Sequence, residues 1–433
     1  MAHVLFADLT QAGVHTLRRA VELGHTVTFV RGTQAQDYLS DDAFLALLAL
    51  VDEVVEIDDT ADTDLLTETI RSVHGRRPVD AVMSQCDPML EALAVACERL
   101  GLAFTSSAGI RNVRNKARAR QLLADAGLAT AAYSLEQDVA GAVAAARRIG
   151  YPVVVKPASG LDSLYATRAE TPAEVARAAG EILAAAGDEA VPARVRRLLR
   201  RGILVEEYLA GELVSAEIGM RDGRCHRFLV CGRSRGADND CVEVGAVLPA
   251  DVSAEESAAC FDYAAAVCRA TGLDLGVFHV EIMLTATGPV LVEVNPRVMG
   301  GVMPHLYHLL TGVHFGDFAL DLHLGRALRP APTPPERTIT ARRLMPRDDL
   351  RLPEDLDLRW LTDPGVDLAS FENFSIRPGA QVRRQQVIGR FAVLEDSWLA
   401  AMERANQLVH RFEEEIGIPL VHPAPVSAPS GVR

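Results

Sequence analysis

Lysine is almost absent from this chain of 433 residues. Of its 44 basic residues only Lys116 and Lys156 are lysines, and the other 42 are arginines. A coding bias towards arginine would explain the excess. However, the compact lysine ammonium also fits crowded phosphate sites that exclude the wide, planar guanidinium group of arginine. We therefore expect both lysines to contact phosphate.

Long apolar runs and paired cysteines are also missing. The longest clean apolar run, residues 43–51, is far shorter than the ~18 residues of a membrane span, and no basic segment leads into an apolar one at the N-terminus. The seven cysteines form no C-x-x-C pair, which argues against a disulfide framework or a zinc ribbon. We expect a cytoplasmic protein without a membrane partner.

Several functional signatures are absent as well. The first turn, residues 7–13, lacks the G-x-G-x-x-G of dinucleotide-binding domains, and no G-x-S-x-G elbow or Cys–His signature suggests a covalent nucleophile. The net charge of −14 disfavours nucleic acid as a partner, because proteins bind the phosphates of nucleic acids with positively charged surfaces. Small molecules are the better candidates.

The composition suits large buried cores, with 49% hydrophobic and 24% charged residues. At about 150 residues per domain, the length predicts two or three domains. Alternating strand and helix patterns predict an open α/β domain with a parallel sheet over residues 1–112. The proline-rich segment 330–335 marks a boundary before an α+β unit at 330–420, and we expect disorder over 421–433.

The clearest pattern is a hairpin over residues 277–297. Apolar residues alternate with polar ones on both arms, and residues 285–288 read as a turn. This predicts that Glu281 faces Glu293 and that His279 faces Asn295. Facing carboxylates repel each other, so something should compensate for their charge.

A magnesium ion would compensate, since two carboxylates and an amide are the oxygen ligands it prefers. We therefore expect Glu281, Glu293 and Asn295 to hold Mg²⁺, with Mn²⁺ as an alternative ion, and Arg297 to suit a phosphate or carboxylate. The competing interpretation is a solvent-facing polar strand face. The break into a loop after Asn295 favours function, because functional residues concentrate on loops.

Taken together, the motifs resemble the ATP-grasp superfamily, and within it the amino acid ligases that form dipeptides. Each motif is weak alone, but their order and spacing are specific. They are Asn115-Lys116, residues 153–157, Glu206 to Leu209, Ser215-Ala216-Glu217, His279-Val280-Glu281 and Glu293 to Arg297.

The resemblance implies an ATP-grasp fold, α/β and α+β, with an ATP-grasp domain over 113–329. Within it, a lid would span about 128–205 and a larger subdomain about 206–329. ATP would be bound by the lysines, the loop after the lid strand, the adenine-binding hinge and Glu217; the hinge and loop residues are Glu206, Glu207, Tyr208, Leu209, Ser159, Gly160 and Ser163. Arg297 would steady the transferred phosphoryl group. A homodimer is an assembly that family analogy allows.

Two departures from the family pattern bear on substrate handling. The loop at 157–164 carries a single glycine, which weakens the expectation that its backbone cradles phosphates. A histidine often occupies the place of Ala246 in the amino acid ligases, whereas Glu243 remains as a candidate for holding a substrate amine. Glu243 and His279 are also the candidates for a base.

The resemblance implies an ATP-dependent ligase that activates a carboxylate, such as an amino acid, as an acyl phosphate and couples it to an amine. Two alternatives stay open at this point. One is a carboxylase or purine-pathway enzyme that uses bicarbonate or formate, and the other is an ATP-binding regulator without turnover.

Overall fold

The computed structural model describes residues 1–33, 42–159, 164–191, 193–332, 336–362 and 366–425. Within these residues, no helix combines the length and the apolar character needed to cross a bilayer.

The N-terminal domain alternates strands and helices, as predicted. Its strands pair in parallel in the order β3-β2-β1-β4, so their carboxyl ends meet at one edge of the sheet. The elements are β1 (His3–Ala7), α1 (Gln11–Glu22), β2 (Thr26–Gly32), α2 (Asp42–Leu48), β3 (Glu53–Ile57), α3 (Thr63–Arg76), β4 (Ala81–Met83) and α4 (Leu90–Leu100). Two helices then lead out of the domain, α5 (Ser107–Arg114) and α6 (Lys116–Asp125).

A small antiparallel sheet follows, with strand order β5-β8-β6-β7. Its elements are β5 (Tyr133–Glu136), α7 (Val139–Ile149), β6 (Val153–Pro157), β7 (Thr167–Ala169), α8 (Pro172–Gly187), α9 (Ala193–Leu199) and β8 (Ile203–Glu207). The alanines of α7 and α8 let these helices pack closely on the sheet. At the start of α8, the N-cap residue Thr171 forms a reciprocal capping box with Glu174, and Pro172 occupies the first helical position. Its strands lie between Tyr133 and Glu207, and the lid was expected over about 128–205.

The largest sheet is antiparallel and runs β13-β12-β9-β10-β11-β14-β18-β16. Its first part comprises β9 (Glu212–Arg221), β10 (Arg224–Arg235), β11 (Glu243–Leu248), α10 (Ala254–Thr271), β12 (Gly276–Thr285), β13 (Gly288–Asn295), α11 (Met303–Thr311) and α12 (Phe315–Leu324). Helix α10 covers one face together with α5 and α6, while α11 and α12 lie between the other face and α1.

The C-terminal residues extend this sheet. They form β14 (Thr338–Leu344), β15 (Leu350–Arg351), β16 (Ser370–Asn373), β17 (Gln381–Val382), β18 (Gly389–Glu395) and α13 (Trp398–Ile416). The predicted boundary at 330–335, of which 333–335 lie outside the described residues, therefore does not divide the sheet, because β14 pairs with β11. The separate packing of α13 on β14 and β18 gives this unit its own core.

The expectation of disorder from residue 421 onwards is wrong for the first residues of that segment. Val421 is buried, and the backbone N–H of Ala424 donates to the carbonyl of Arg235 at 2.7 Å. Residues 426–433 lie outside the described residues.

Candidate active site

The hairpin of β12 and β13 has the predicted register at its polar residues. Glu281 pairs with Glu293 and His279 pairs with Asn295. The register shifts between Glu281 and Ile282, where a bulge leaves Val292 as the extra residue of β13. The sequence pattern did not predict this bulge.

Neighbouring protein groups compensate for the facing carboxylates. The Lys116 ammonium lies 2.8 Å from Glu293 Oε1, and His279 Nε2 lies 3.2 Å from Glu281 Oε1. Burial alone would raise the pKa of the Glu281 carboxyl, but His279, Arg233 and Arg297 outweigh burial and lower that pKa to about 2. Glu281 is therefore held as an anion on this side of the hairpin.

His279 is fixed from behind by Glu217. Its Nδ1 lies 2.7 Å from Glu217 Oε1, which also accepts from the Ser215 hydroxyl at 2.8 Å. Glu217, which the resemblance assigned to nucleotide binding, is fully buried and its Oε1 contacts His279. Burial lowers the pKa of His279, but the two glutamates outweigh it and raise that pKa.

Lys156 meets Glu206 rather than the hairpin itself. Its ammonium lies 2.5 Å from Glu206 Oε2, and Arg120 Nε lies 3.0 Å from Glu206 Oε1. Arg120 also donates to the carbonyl of Val292 at 2.7 Å, which ties this buried pair to the bulge. Burial would raise the pKa of Glu206, but Arg120, Lys156 and Lys116 outweigh burial and lower it to about 2.

The predicted adenine hinge leaves the lid sheet at the end of β8. Glu207 is exposed and its carboxylate accepts from the N–H of Ala132 at 3.2 Å. Tyr208 follows, with its hydroxyl donating to Asp240 and the Arg168 guanidinium 4.4 Å from its ring centroid. Leu209, next in the chain, is half-buried outside the strand.

The loop predicted to cover phosphates is described only in part. Ser159 is buried, and its hydroxyl donates to the carbonyl of Arg114 at 3.1 Å, which anchors the loop to the end of α5. Gly160 and Ser163 lie outside the described residues.

Arg297 follows the hairpin and faces the N-terminal domain. Its Nε donates to Asp87 Oδ2 at 2.7 Å and its Nη1 to the carbonyl of Val298 at 3.0 Å. Gln85 fixes the same loop by accepting from the Val298 N–H at 3.0 Å. Burial would lower the pKa of the guanidinium, but Asp87, Glu281 and Glu293 outweigh it and raise that pKa. Arg297 is a permanent cation next to the carboxylate pair.

The Glu243 carboxylate forms ion pairs with two arginines. Its Oε1 lies 2.9 Å from Arg343 and 3.4 Å from Arg233, and Arg343 also donates to its carbonyl. Two guanidinium groups therefore already contact Oε1 of this carboxylate. Ala246, which stands where the amino acid ligases often have a histidine, is buried in β11.

Sequence reasoning missed three residues of this site. Asp87 could have been found, because it follows β4 at the carboxyl edge of a parallel sheet, where ligand-binding loops gather. Arg120 lies four residues after Lys116 and so on the same face of α6. Arg233 gave no signal among 42 arginines, although its guanidinium lies 2.9 Å from His279 Nε2.

The hairpin residues suit a hard divalent cation. Glu281, Glu293 and Asn295 offer oxygen donors on one side of the hairpin, and the two glutamate side chains are 23% and 31% exposed. Mg²⁺ prefers such oxygen ligands and usually keeps several waters, which partly exposed ligands allow. The donor set therefore fits the ion.

Two stretches of the chain match models of a known family. Residues 17–104 match the ATP-grasp N-terminal domain, and residues 149–305 match the ATP-grasp domain. The chain belongs to the ATP-grasp superfamily, as the sequence motifs indicated.

Two proteins from other organisms are similar to this chain in sequence. The chain is 27% identical over 338 residues to the uncharacterised protein y4rH of Sinorhizobium fredii, covering 77% of this chain and 66% of that one. It is 27% identical over 250 residues to carnosine synthase 1 of Gallus gallus, covering 56% of this chain and 27% of that protein. The matched region thus spans about two thirds of the Sinorhizobium fredii protein and about a quarter of the carnosine synthase.

Among solved structures, the L-amino acid ligase from Bacillus licheniformis superposes with a TM-score of 0.78 at 20% identity. The match covers 98% of this chain and 99% of that one. At this identity the likeness establishes the common fold.

Proposed function

We propose that this protein is an ATP-dependent carboxylate–amine ligase. It activates an amino acid or a related carboxylate as an acyl phosphate and couples it to an amine, such as a second amino acid, giving an amide or dipeptide, ADP and phosphate. The observation that carries the proposal is the facing pair of Glu281 and Glu293, with Lys116 on one side and Arg297 on the other.

The first step transfers the γ-phosphoryl group of ATP to the substrate carboxylate, forming a P–O bond and releasing ADP. Such a step needs positioning and charge neutralisation more than covalent chemistry. Lys116, Lys156 and Arg297 supply positive charge around the transferring group. Glu281, Glu293 and Asn295 would hold Mg²⁺, which when bound neutralises phosphate charge.

The second step is attack of the amine on the acyl phosphate carbon, which expels inorganic phosphate and releases one proton from nitrogen. Arg297 Nη2 has no partner among the described residues, so it can donate to the developing oxyanion or to the departing phosphate. Glu243 is engaged by two arginines and His279 by Glu217 and Glu281, so neither is assigned as the base.

The similarity to carnosine synthase over about half of the chain and to an L-amino acid ligase over nearly all of it supports amide formation between amino acids. Neither relative determines which acid and which amine this protein joins.

The test is phosphate release by the purified chain with MgATP and all pairs of amino acids, alongside bicarbonate and formate as single acids. We expect release that requires both an acid and an amine, with one amide formed per ADP by mass spectrometry. Release that depends on bicarbonate or formate would contradict the proposal, and so would nucleotide binding without release for any pair.

A further inference from the structure

A second cluster of metal-ligating side chains lies far along the chain from the hairpin. His410 and Glu413 stand three residues apart on α13, and thus on one face of the helix, while His422 comes from the segment after it. One ligand atom of each residue lies within 4.8 Å of those of the other two. Within the described residues, this is the single set of three such groups with that spacing.

The present contacts hold the three side chains together without satisfying them. His422 Nε2 hydrogen-bonds the Glu413 carboxylate, and the rings of His410 and His422 stack with centroids 4.3 Å apart. The Nδ1 atom of His422 is buried and has no partner within the described residues. A cation shared with Glu413 would bind Nε2 of the same ring, because Nε2 is the atom that contacts the Glu413 carboxylate.

Two imidazoles and one carboxylate form a borderline donor set. Zn²⁺ takes nitrogen and oxygen ligands in tetrahedral geometry, whereas Mg²⁺ prefers oxygen alone. Zinc bonds of about 2.0–2.2 Å place neighbouring ligand atoms about 3.3–3.5 Å apart, so movements on the order of 1 Å would close the set. The exposed His410 side chain is able to make such a movement.

The cluster also bears on how the chain end is held. The carbonyl of His422 accepts from the N–H of Ala237 at 2.9 Å, and Gly236 pairs with Pro423. The same loop carries Asp240, which accepts from the hydroxyl of Tyr208 in the predicted hinge. A metal bound at His422 would fasten this segment beside the loop that supports Tyr208.

We propose that His410, Glu413 and His422 form a Zn²⁺ site, with three protein ligands and water in the fourth position, that pins the C-terminal segment to α13. This site is separate from the carboxylates of the hairpin, and the proposal does not depend on the ligase reaction.

The experiment uses the full chain freed of any affinity tag and stripped of metal with a chelator. Zn²⁺ is titrated by calorimetry in excess Mg²⁺. The Mg²⁺ occupies the hairpin carboxylates, so that Zn²⁺ does not bind there. The variants are His410→Gln, Glu413→Gln and His422→Gln, and His226→Gln on β10 is the matched control. Co²⁺ serves as a second probe, because its visible absorption reports tetrahedral nitrogen and oxygen ligation.

We expect one Zn²⁺ per chain in the wild type and in the control, with affinity lowered at least about tenfold in each cluster variant. Zn²⁺ should raise the melting temperature of the wild type and leave that of His410→Gln unchanged. Because His410 is exposed, this variant should fold even if His422→Gln does not. Absence of Zn²⁺ uptake by the wild type, or equal uptake by His410→Gln, would overturn the proposal and leave a hydrogen-bonded His–Glu pair.

Discussion

Glu206 is a buried acid of the candidate site. Its side chain is 5% exposed, yet it meets the two cations Arg120 and Lys156. An ion pair in such a place adds little net stability over apolar packing, but removal of one partner leaves a buried charge without full compensation. The pair therefore constrains the position of Lys156, for which the sequence predicted phosphate contact.

Replacing Arg120 with methionine tests this constraint. Arg120→Met removes two bonds from a side chain that is 1% exposed, those to Glu206 and to Val292. We expect a loss of about 3–5 kcal/mol in the free energy of unfolding, measured by urea denaturation with circular dichroism. Arg111→Met is the control, because Arg111 forms an exposed pair with Glu91 and should cost less than about 1 kcal/mol. Equal losses in the two variants would show that the Arg120 contacts do not carry this role.

At this scale the sequence was informative where a residue type was rare. Two lysines in the whole chain identified Lys116 and Lys156, and the structure places both next to acidic groups of the site. Arginine carried no such information, because 42 copies serve helix surfaces and buried pairs alike. Arg233 illustrates this, since the pairing of β10 with β11 brings it to Glu243 and arginine as a residue type gives no sign of that contact.

The β12–β13 hairpin shows what two-residue alternation predicts and what it misses. Alternation located the facing Glu281 and Glu293 because a one-residue slip would turn apolar side chains to the polar face. The bulge escaped prediction because Val292 is as apolar as its neighbours, and an extra apolar residue leaves no mark in such a pattern. Its carbonyl instead accepts from Arg120, a contact between distant elements.

The junction of β11 and β14 likewise depends on one small residue. A Cβ atom on Gly245 would lie 2.2 Å from the carbonyl oxygen of Ala341, which no side-chain movement relieves. Gly245 therefore allows the close approach through which the C-terminal strands join the large sheet.

We expect Gly245→Ala to lower the free energy of unfolding by about 1–3 kcal/mol, since backbone atoms must shift to admit the methyl group. Gly180→Ala in α8 is the matched control, because a Cβ there meets nothing within 4 Å and alanine favours the helix by roughly 0.5–1 kcal/mol. Thermal denaturation should show a lower melting temperature for Gly245→Ala and a higher one for Gly180→Ala. A neutral Gly245→Ala would contradict the tight junction.

On the scale of the whole molecule, the loop after the hairpin joins three parts of the fold. Arg297 pairs with Asp87 of the N-terminal domain. Gly301 lies against Arg390 of β18, since a Cβ atom added to Gly301 would lie 3.0 Å from Arg390 Nη1. The predicted domain limits placed an N-terminal unit over 1–112, a lid over about 128–205 and a C-terminal unit over 330–420. They separated the C-terminal strands from the large sheet, because strand pairing across a proline-rich segment leaves no local signal.

The contact of α1 with α11 and α12 should make stability depend on pH. His15 stacks on His305 with ring centroids 5.6 Å apart, and burial, helped by His305 and Arg18, lowers the pKa of His15 from 6.5 to about 4. The folded state therefore keeps His15 neutral where the unfolded chain binds a proton. This contribution is fully present above about pH 6.5 and is lost as the pH falls towards about 4.

We expect the melting temperature of the wild type to fall between pH 7.5 and pH 5. In His15→Phe, which keeps a ring but has no proton to gain, we expect a smaller fall. Differential scanning calorimetry at both values measures the difference. The same fall in both proteins would show that His15 does not couple this interface to pH.

The central claim is that the polar side of the β12–β13 hairpin binds a nucleotide through a divalent cation. It is tested most directly by calorimetric titration of a non-hydrolysable ATP analogue with Mg²⁺ and with chelator, in the wild type, in Glu293→Gln and in the exposed-helix control Glu255→Gln. The account predicts that Mg²⁺ strengthens binding by the wild type and the control, and that Glu293→Gln loses this gain while it keeps its affinity in chelator. An undiminished Mg²⁺ effect in Glu293→Gln would contradict it.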